Sequence, residues 1–179
     1  MKRQLAGLAM LAAVATGVAA PPAIYLDDSK PLEERVEDAL SRMTLREKIN
    51  IIHAQSKFSA PGVPRLGIPE IWCTDGPMGV RPEVLWDEWE QAKWTNDSCT
   101  AFPSLTALAA TWNPDMAMLY GRSIGSEARF RNKSVLLGPG INIYRTPLNG
   151  RNFEYMGEDP YLTSKMVVPY VKGVQSNGV

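Results

Sequence analysis

The chain has 179 residues, with 19 Lys+Arg, 19 Asp+Glu and one His, so its formal net charge is zero. Apolar residues make up 45% and charged residues 21%, the proportions of an ordinary globular protein. This balance excludes intrinsic disorder, which goes with too little apolar surface to fold. It also argues against a nucleic-acid-binding domain, which would carry a clustered basic excess.

At the N-terminus, Lys2 and Arg3 precede a short apolar run, Leu5 to Val14, and then small residues ending Val18-Ala19-Ala20. This pattern predicts a secretory signal peptide over residues 1–20. Its removal leaves 17 basic and 19 acidic side chains and places the mature chain in the periplasm or outside the cell. In that compartment Cys73 and Cys99 could pair, or they remain two buried thiols; two cysteines make no disulfide framework. No later run of about 18 apolar residues occurs, so no membrane span is expected in the mature chain.

Residues 29–43 read as a helix, with Pro31 in its first turn and Leu32, Val36, Leu40 and Met43 at helical spacing. Thr44-Leu45-Arg46-Glu47 has the form of a capping box and opens a second short helix to about His53. Pro61, Gly62, Pro64, Gly67 and Pro69 make the next stretch irregular. Ile71 to Thr74 is of strand length and stops at the turn Asp75-Gly76-Pro77. A polar and aromatic stretch follows from Arg81 to Phe102. Within it Trp86, Trp89 and Lys93 fall at i, i+3 and i+7, the spacing of a helical stripe; their indole faces could alternatively stack on sugar rings. Asn113 and Pro114 open a helix as N-cap and first residue, with Met116, Tyr120, Ile124 and Ala128 as its stripe. Val135-Leu136-Leu137 reads as a buried strand closed by Gly138-Pro139-Gly140, and Ile141 to Tyr144 as another. Asp159-Pro160 starts a helix through Gln175, with a kink expected at Pro169. Short apolar strands alternating with amphipathic helices predict a parallel α/β architecture.

Polar residues gather where the predicted strands end: Asp75 after the first, and Arg145, Asn149, Arg151 and Glu154 after the later pair. In α/β barrels ligands bind at the C-terminal ends of the strands. A carboxylate and an arginine fork converging there could grip several hydroxyls of one ligand. Taken singly, Asp75 is equally a turn-former, and Arg151 with Glu154 equally a surface salt bridge. Other chemistries find no support. There is no phosphate loop of the G-x-x-x-x-G-K type and no nucleophile elbow for a serine hydrolase. Cys73, Cys99 and His53 lack zinc-ligand spacing, and His53 reads as structural.

Two segments, Thr74-Asp75-Gly76-Pro77 and the block from Gly150-Arg151-Asn152-Phe153-Glu154-Tyr155 to Asp159-Pro160, resemble the N-terminal domain of glycoside hydrolase family 3. Met43 to Lys48, Pro64 to Pro69, Glu127-Ala128-Arg129 and Leu137-Gly138-Pro139 support the resemblance, which runs from about residue 30 to Val179. It implies that residues 21–179 are the N-terminal portion of a (β/α)₈ barrel. It further implies a secreted retaining β-glycosidase of the β-glucosidase or β-xylosidase type, acting on an oligosaccharide or glycoside with no metal or organic cofactor. By the same resemblance Asp75, Arg81 and Arg151 bind the sugar of subsite −1 and Glu154 supports Arg151. Met78 departs from the His often found in the family's D-G-P-H-G, which should alter local packing or substrate preference. The family's Lys-His pair, its nucleophilic Asp and its acid/base residue would fall beyond Val179. A whole barrel needs about 250 residues, so the chain is expected to be an inactive fragment of a longer enzyme. Alternatives are a non-catalytic sugar-binding module or remnant, and a β-N-acetylhexosaminidase. Sugar preference, linkage and oligomeric state are not readable.

Overall fold

A computed structural model describes residues 23–93 and 97–179; the expected signal peptide lies outside the described residues. The chain divides into two compact units at Met43/Thr44. The first holds a 3₁₀ turn, Ile24–Leu26, and helix α1, Leu32–Arg42. Pro31 stands at the N-cap of α1, one residue outside the first turn where the sequence placed it. Asp38 ties this unit together: it accepts from the Tyr25 N–H at 3.1 Å and pairs with Arg42 at 3.0 Å.

The second unit opens with α2, Leu45–Ile51, and its capping box is complete: Thr44 accepts from the Glu47 N–H, and Glu47 accepts from the Thr44 N–H at 2.8 Å. The expected irregular stretch contains a two-residue strand, β1 (Ser59–Ala60), and a 3₁₀ turn at Pro64–Leu66. Strand β2, Ile71–Asp75, pairs antiparallel with β1 and parallel with β3, Val135–Leu137. Between β2 and β3 lie α3 (Leu105–Ala109) and the long α4 (Pro114–Phe130). Asn113 caps α4 as predicted, its side chain accepting from the N–H groups of Asp115 and Met116. After β3 a small parallel ribbon, β4 (Gly140–Ile143) with β5 (Tyr155–Gly157), precedes α5, Pro160–Gln175. The order β2–α4–β3–α5 is the expected parallel α/β pattern, with the β4–β5 ribbon set into the loop between β3 and α5.

Four expectations need correction. Residues Trp86 to Lys93 form no helix. Val84 bridges Gln91, and the Leu85 N–H donates to the Glu90 carbonyl at 2.9 Å, so the segment is a hairpin. Its indoles point back onto aromatic rings, Trp86 edge-on to Trp72 and Trp89 edge-on to Phe58; cross-strand pairing overrides the i, i+3 spacing. Strand β3 is buried only at Leu136, with Val135 and Leu137 exposed. The cysteines are free, the second of the two readings left open above, but they are half-buried where that reading had them buried. Finally, Met116 is exposed, because the buried face of α4 runs instead through Ala117, Tyr120, Gly121, Ile124, Gly125 and Ala128.

That shift comes from α5. A Cβ on Gly121 would run into the Tyr170 carbonyl oxygen, and one on Gly173 into the Met118 carbonyl oxygen. The backbones of α4 and α5 therefore touch. The core grows from this seam, with Ile124, Ala117, Met166 and Tyr170 almost fully buried. Gly121→Ala is expected to force the helices apart and to cost about 1–3 kcal/mol, as overpacking does, read as a lowered midpoint in thermal or denaturant unfolding.

Glu47 has a second partner in this unit, Arg65, whose Nη2 lies 2.8 Å from its Oε2. The Arg65 hydrogen bond and the Thr44 N–H hold the Glu47 carboxyl down at about 2, from an ordinary 4.5. A depressed carboxyl stabilises the fold above its unfolded value and loses that contribution as pH falls through its folded value. Glu47→Gln should therefore flatten acid destabilisation between pH 4.5 and 2, a difference read by unfolding titrations at several pH values.

Candidate functional site

Strands β2 and β3 end level with one another, Asp75 opposite Leu137. Beyond them the chain makes two turns, Gly76-Pro77-Met78-Gly79 and Gly138-Pro139, and these line an open cleft of about 680 Å³. The opposite wall is the start of the β4–β5 ribbon, with Gly140, Asn142, Arg151, Phe153, Glu154 and Tyr155.

The turn after β2 requires glycine. Gly76 has φ +143°, and a Cβ there would strike the Gly79 carbonyl. Its shape is held from below by two buried tyrosines. Tyr170 donates to the Pro77 carbonyl oxygen at 3.1 Å, and Tyr120 donates to the Pro103 oxygen at 2.7 Å while lying 3.4 Å from that of Pro77. Their rings stack 5.4 Å apart, and burial pushes both phenols well above the ordinary range, so they stay protonated donors. The α4–α5 seam is thus wired to the loop that carries Asp75.

Asp75 stands half-exposed at the end of β2, its Oδ2 accepting from Arg81 Nη1 at 2.7 Å. Among the described residues no group donates to Oδ1. Arg81 is itself placed, its N–H on Thr74 Oγ1 at 3.4 Å and its guanidinium 5.3 Å from the centre of the Phe58 ring. Across the cleft, Arg151 and Glu154 form a two-pronged pair, Nε to Oε1 at 2.9 Å and Nη2 to Oε2 at 2.6 Å. Glu154 is largely buried at 17% exposure, whereas the Arg151 side chain is 68% exposed. The Glu154 bonds raise the Arg151 guanidinium above its ordinary value, with the charge of Asp75 adding to the effect. Nη1 of Arg151 remains unengaged among the described residues.

The predicted residues therefore separate into three groups. Asp75, Arg151 and Glu154 line one cleft. Arg81 lines no part of it and reaches it through Asp75. Arg145 and Asn149 do not line it either. The ribbon turns away after β4, and Asn149 spends its side-chain amide on Asn152 Oδ1 at 2.7 Å, bracing the loop that presents Arg151. Arg151 and Glu154 also sit at the start of β5, not at the end of β4, because β5 was not legible as a strand. Asn142 was missed; its one signal was a polar residue inside the apolar run after Gly138-Pro139-Gly140. Met78, the departure from D-G-P-H-G, both lines the cleft and packs on the core.

Two carboxylates and two guanidinium groups leave this site with no net charge. Such a site repels neither sign and suits a neutral ligand rich in hydroxyls, each of which can donate to Asp75 or accept from Arg151. The class defined is an α/β protein with an open polar cleft at the ends of its parallel strands. Residues 63–179 match the model described as the glycosyl hydrolase family 3 N terminal domain, and the chain belongs to that family. It is 68% identical to a β-glucosidase, BoGH3A, of Bacteroides ovatus over 156 residues, 87% of this chain and 21% of the relative. It is 43% identical to the thermostable β-glucosidase B of Acetivibrio thermocellus, over 80% of this chain and 19% of that protein. The structure of β-glucosidase 3B from Thermotoga neapolitana in complex with glucose superposes with a TM-score of 0.69 at 38% identity, covering 80% of this chain and 22% of that one. The chain thus spans about a fifth of the length of the relatives it matches. The α/β fold is that of the N-terminal barrel domain of these glycoside hydrolases.

Tyr170→Phe removes the shorter of the two hydroxyl contacts to the Pro77 carbonyl and leaves the longer one from Tyr120. Loss of one such hydrogen bond costs about 0.5–1.5 kcal/mol. Equilibrium unfolding should show that loss, whereas Tyr161→Phe, at an exposed position of the same helix, should leave stability unchanged.

Proposed function

We propose that this chain supplies the sugar-gripping part of subsite −1 in a retaining β-glycosidase of the β-glucosidase type. The observation that carries the proposal is the charge-balanced cleft, where Asp75 and Arg151 face one another with bonding capacity to spare. Asp75 accepts from sugar hydroxyls through Oδ1, while Arg81 occupies Oδ2 and keeps the carboxylate oriented. Arg151 donates through Nη1 to oxygens on the other side of the ring, aimed by Glu154. Both act by binding. Energy from hydroxyls remote from the reacting carbon holds the ring and can be spent on distorting it. Bond breaking follows the two-carboxylate route through a covalent glycosyl-enzyme, with the nucleophile and acid/base supplied by other parts of the whole enzyme. The relatives named as β-glucosidases and the neighbour with bound glucose support glucose as the sugar. Another relative, 36% identical, is named an exo-α-(1→6)-L-arabinopyranosidase, of Bifidobacterium longum, so pentopyranosides belong in the assay. The N-terminal charged and apolar run supports export.

In the whole enzyme, Asp75→Asn should lower kcat/KM on a nitrophenyl β-glucoside by about a hundredfold or more. A hydrogen bond to a charged group is worth about 1.5–3 kcal/mol, each 1.4 kcal/mol is tenfold, and Asp75 can take more than one hydroxyl. Arg151→Lys keeps the charge but loses the fork and should lose about tenfold. Wild-type turnover by Asp75→Asn would overturn the assignment, and a wild-type enzyme cleaving none of the gluco-, xylo- and arabinopyranosides would overturn the reading as a whole.

A further inference from the structure

Below Arg81 lies a group of four charges that the cleft does not use. Glu83 places both carboxylate oxygens on Lys133 Nζ, at 2.7 and 2.8 Å, and its Oε1 is 3.7 Å from Arg131 Nη2. The Glu83 backbone N–H donates to Asp97 Oδ2 at 2.8 Å, and Asp97 Oδ1 is bonded to Arg131. Lys133 is buried, at 6% side-chain exposure, and Asp97, Arg131 and Glu83 are largely shielded, at 10%, 12% and 16%. Burial works to raise the Asp97 carboxyl, but the bonds from Arg131 and from the Glu83 N–H prevail and hold it below its ordinary value.

Burying four charges is poor economy if stability is the purpose, since a packed apolar group would serve as well or better. What the cluster does have is geometry. Glu83 and Asp97 belong to the long loop between β2 and α3, whereas Arg131 and Lys133 belong to the turn between α4 and β3. The ion pairs fasten that loop to the body two residues after Arg81. From the other side Arg81 is held by Thr74 of β2 and by the Phe58 ring just before β1. We propose that Glu83, with Asp97, Arg131 and Lys133, is a positioning device that fixes Arg81 against Asp75 Oδ2 and so leaves Oδ1 turned into the cleft. The inference rests on the sugar-binding role of Asp75 argued above.

The test is a double-mutant cycle in the whole enzyme, reading KM and kcat on a nitrophenyl β-glucoside, the Kd for glucose, and the thermal midpoint. Glu83→Gln should raise KM and the glucose Kd about tenfold, with a smaller change in kcat, in the wild-type background. In an Arg81→Ala background the same substitution should change neither, because the group it positions is gone. The thermal midpoint should fall equally in both backgrounds. Lys133→Arg, which keeps the bridge, should stay close to wild type. If Glu83→Gln does not fold, Glu83→Asp shortens the same arm by one methylene and enters the same cycle. Equal losses of binding in the two backgrounds, or none in either with folding intact, overturn the inference. A wild-type enzyme that hydrolyses no glycoside and binds no glucose would fail the functional reading, which is a separate result.

Discussion

The site depends on the close approach of α4 and α5. Glycines at 121 and 173 let the two backbones meet, and that contact brings Tyr120 and Tyr170 together beneath the Pro77 carbonyl. A turn as tight as Gly76-Pro77-Met78-Gly79 points carbonyls inward, where each needs a donor. The tyrosines supply it without bringing water or charge into the core. Asp75 is therefore held at both ends, by the parallel ladder to Leu137 behind it and by the tyrosine-braced turn ahead of it.

The other wall is built by a different device. The β4–β5 ribbon has only a short ladder, with an irregular register between Gly140 and Ile143, too little to be rigid alone. Helix α3 steadies it: the Thr106 and Tyr144 hydroxyls meet each other and each lies 2.9 Å from the Tyr155 carbonyl oxygen, a three-oxygen cluster in which two protons are shared among three contacts. Glu154, next to Tyr155, is thereby set in place and fixes Arg151 through two parallel bonds. The arginine itself is exposed, but its aim is not free. A pair this exposed contributes little to folding, and its value lies in orientation.

Much of this was legible in the sequence where the signal is local. The caps at Thr44, Asn113 and Asp159 and the prolines beside the last two dictate helix starts through their own backbone chemistry, and all three helices begin there. Strands β2 and β3 show as apolar runs cut off by turn residues. What failed was long-range. The segment Tyr155 to Gly157 is a strand only because β4 lies beside it, and Leu105 to Ala109 is a single turn and a half of helix that no periodicity could reveal. The Trp86 and Trp89 spacing suggested a helix, yet the segment is short and its two sides pair across the chain. The cleft residues Asp75, Arg151 and Glu154 were recognisable as motifs. That Arg81 stands behind Asp75, and that Asn149 braces a loop instead of lining the cleft, follow from tertiary contacts that no spacing encodes.

The two arginines illustrate one principle in opposite settings. A guanidinium carries five donors in a fixed plane, so committing some of them determines where the others point. Arg151 gives two edges to Glu154 and turns the remainder toward the cleft. Arg81 gives Nη1 to Asp75 and lays its plane over Phe58, and what it directs is the carboxylate. A lysine would satisfy the charge in either place but could not transmit a direction. Direction, however, is only as good as the backbone that anchors the arginine. Arg151 is anchored by a short 3₁₀ turn at Asn152–Glu154, and Arg81 lies early in the long loop 76–104 between β2 and α3, which entropy would otherwise leave loose. The largely buried charges of Glu83 and Asp97 lie on that loop, behind the cleft. Apolar packing would bind the loop as tightly but would tolerate sliding, whereas a bidentate bridge between fixed charges accepts one register. A loop that must hold a guanidinium against one carboxylate oxygen needs the second kind of fastening.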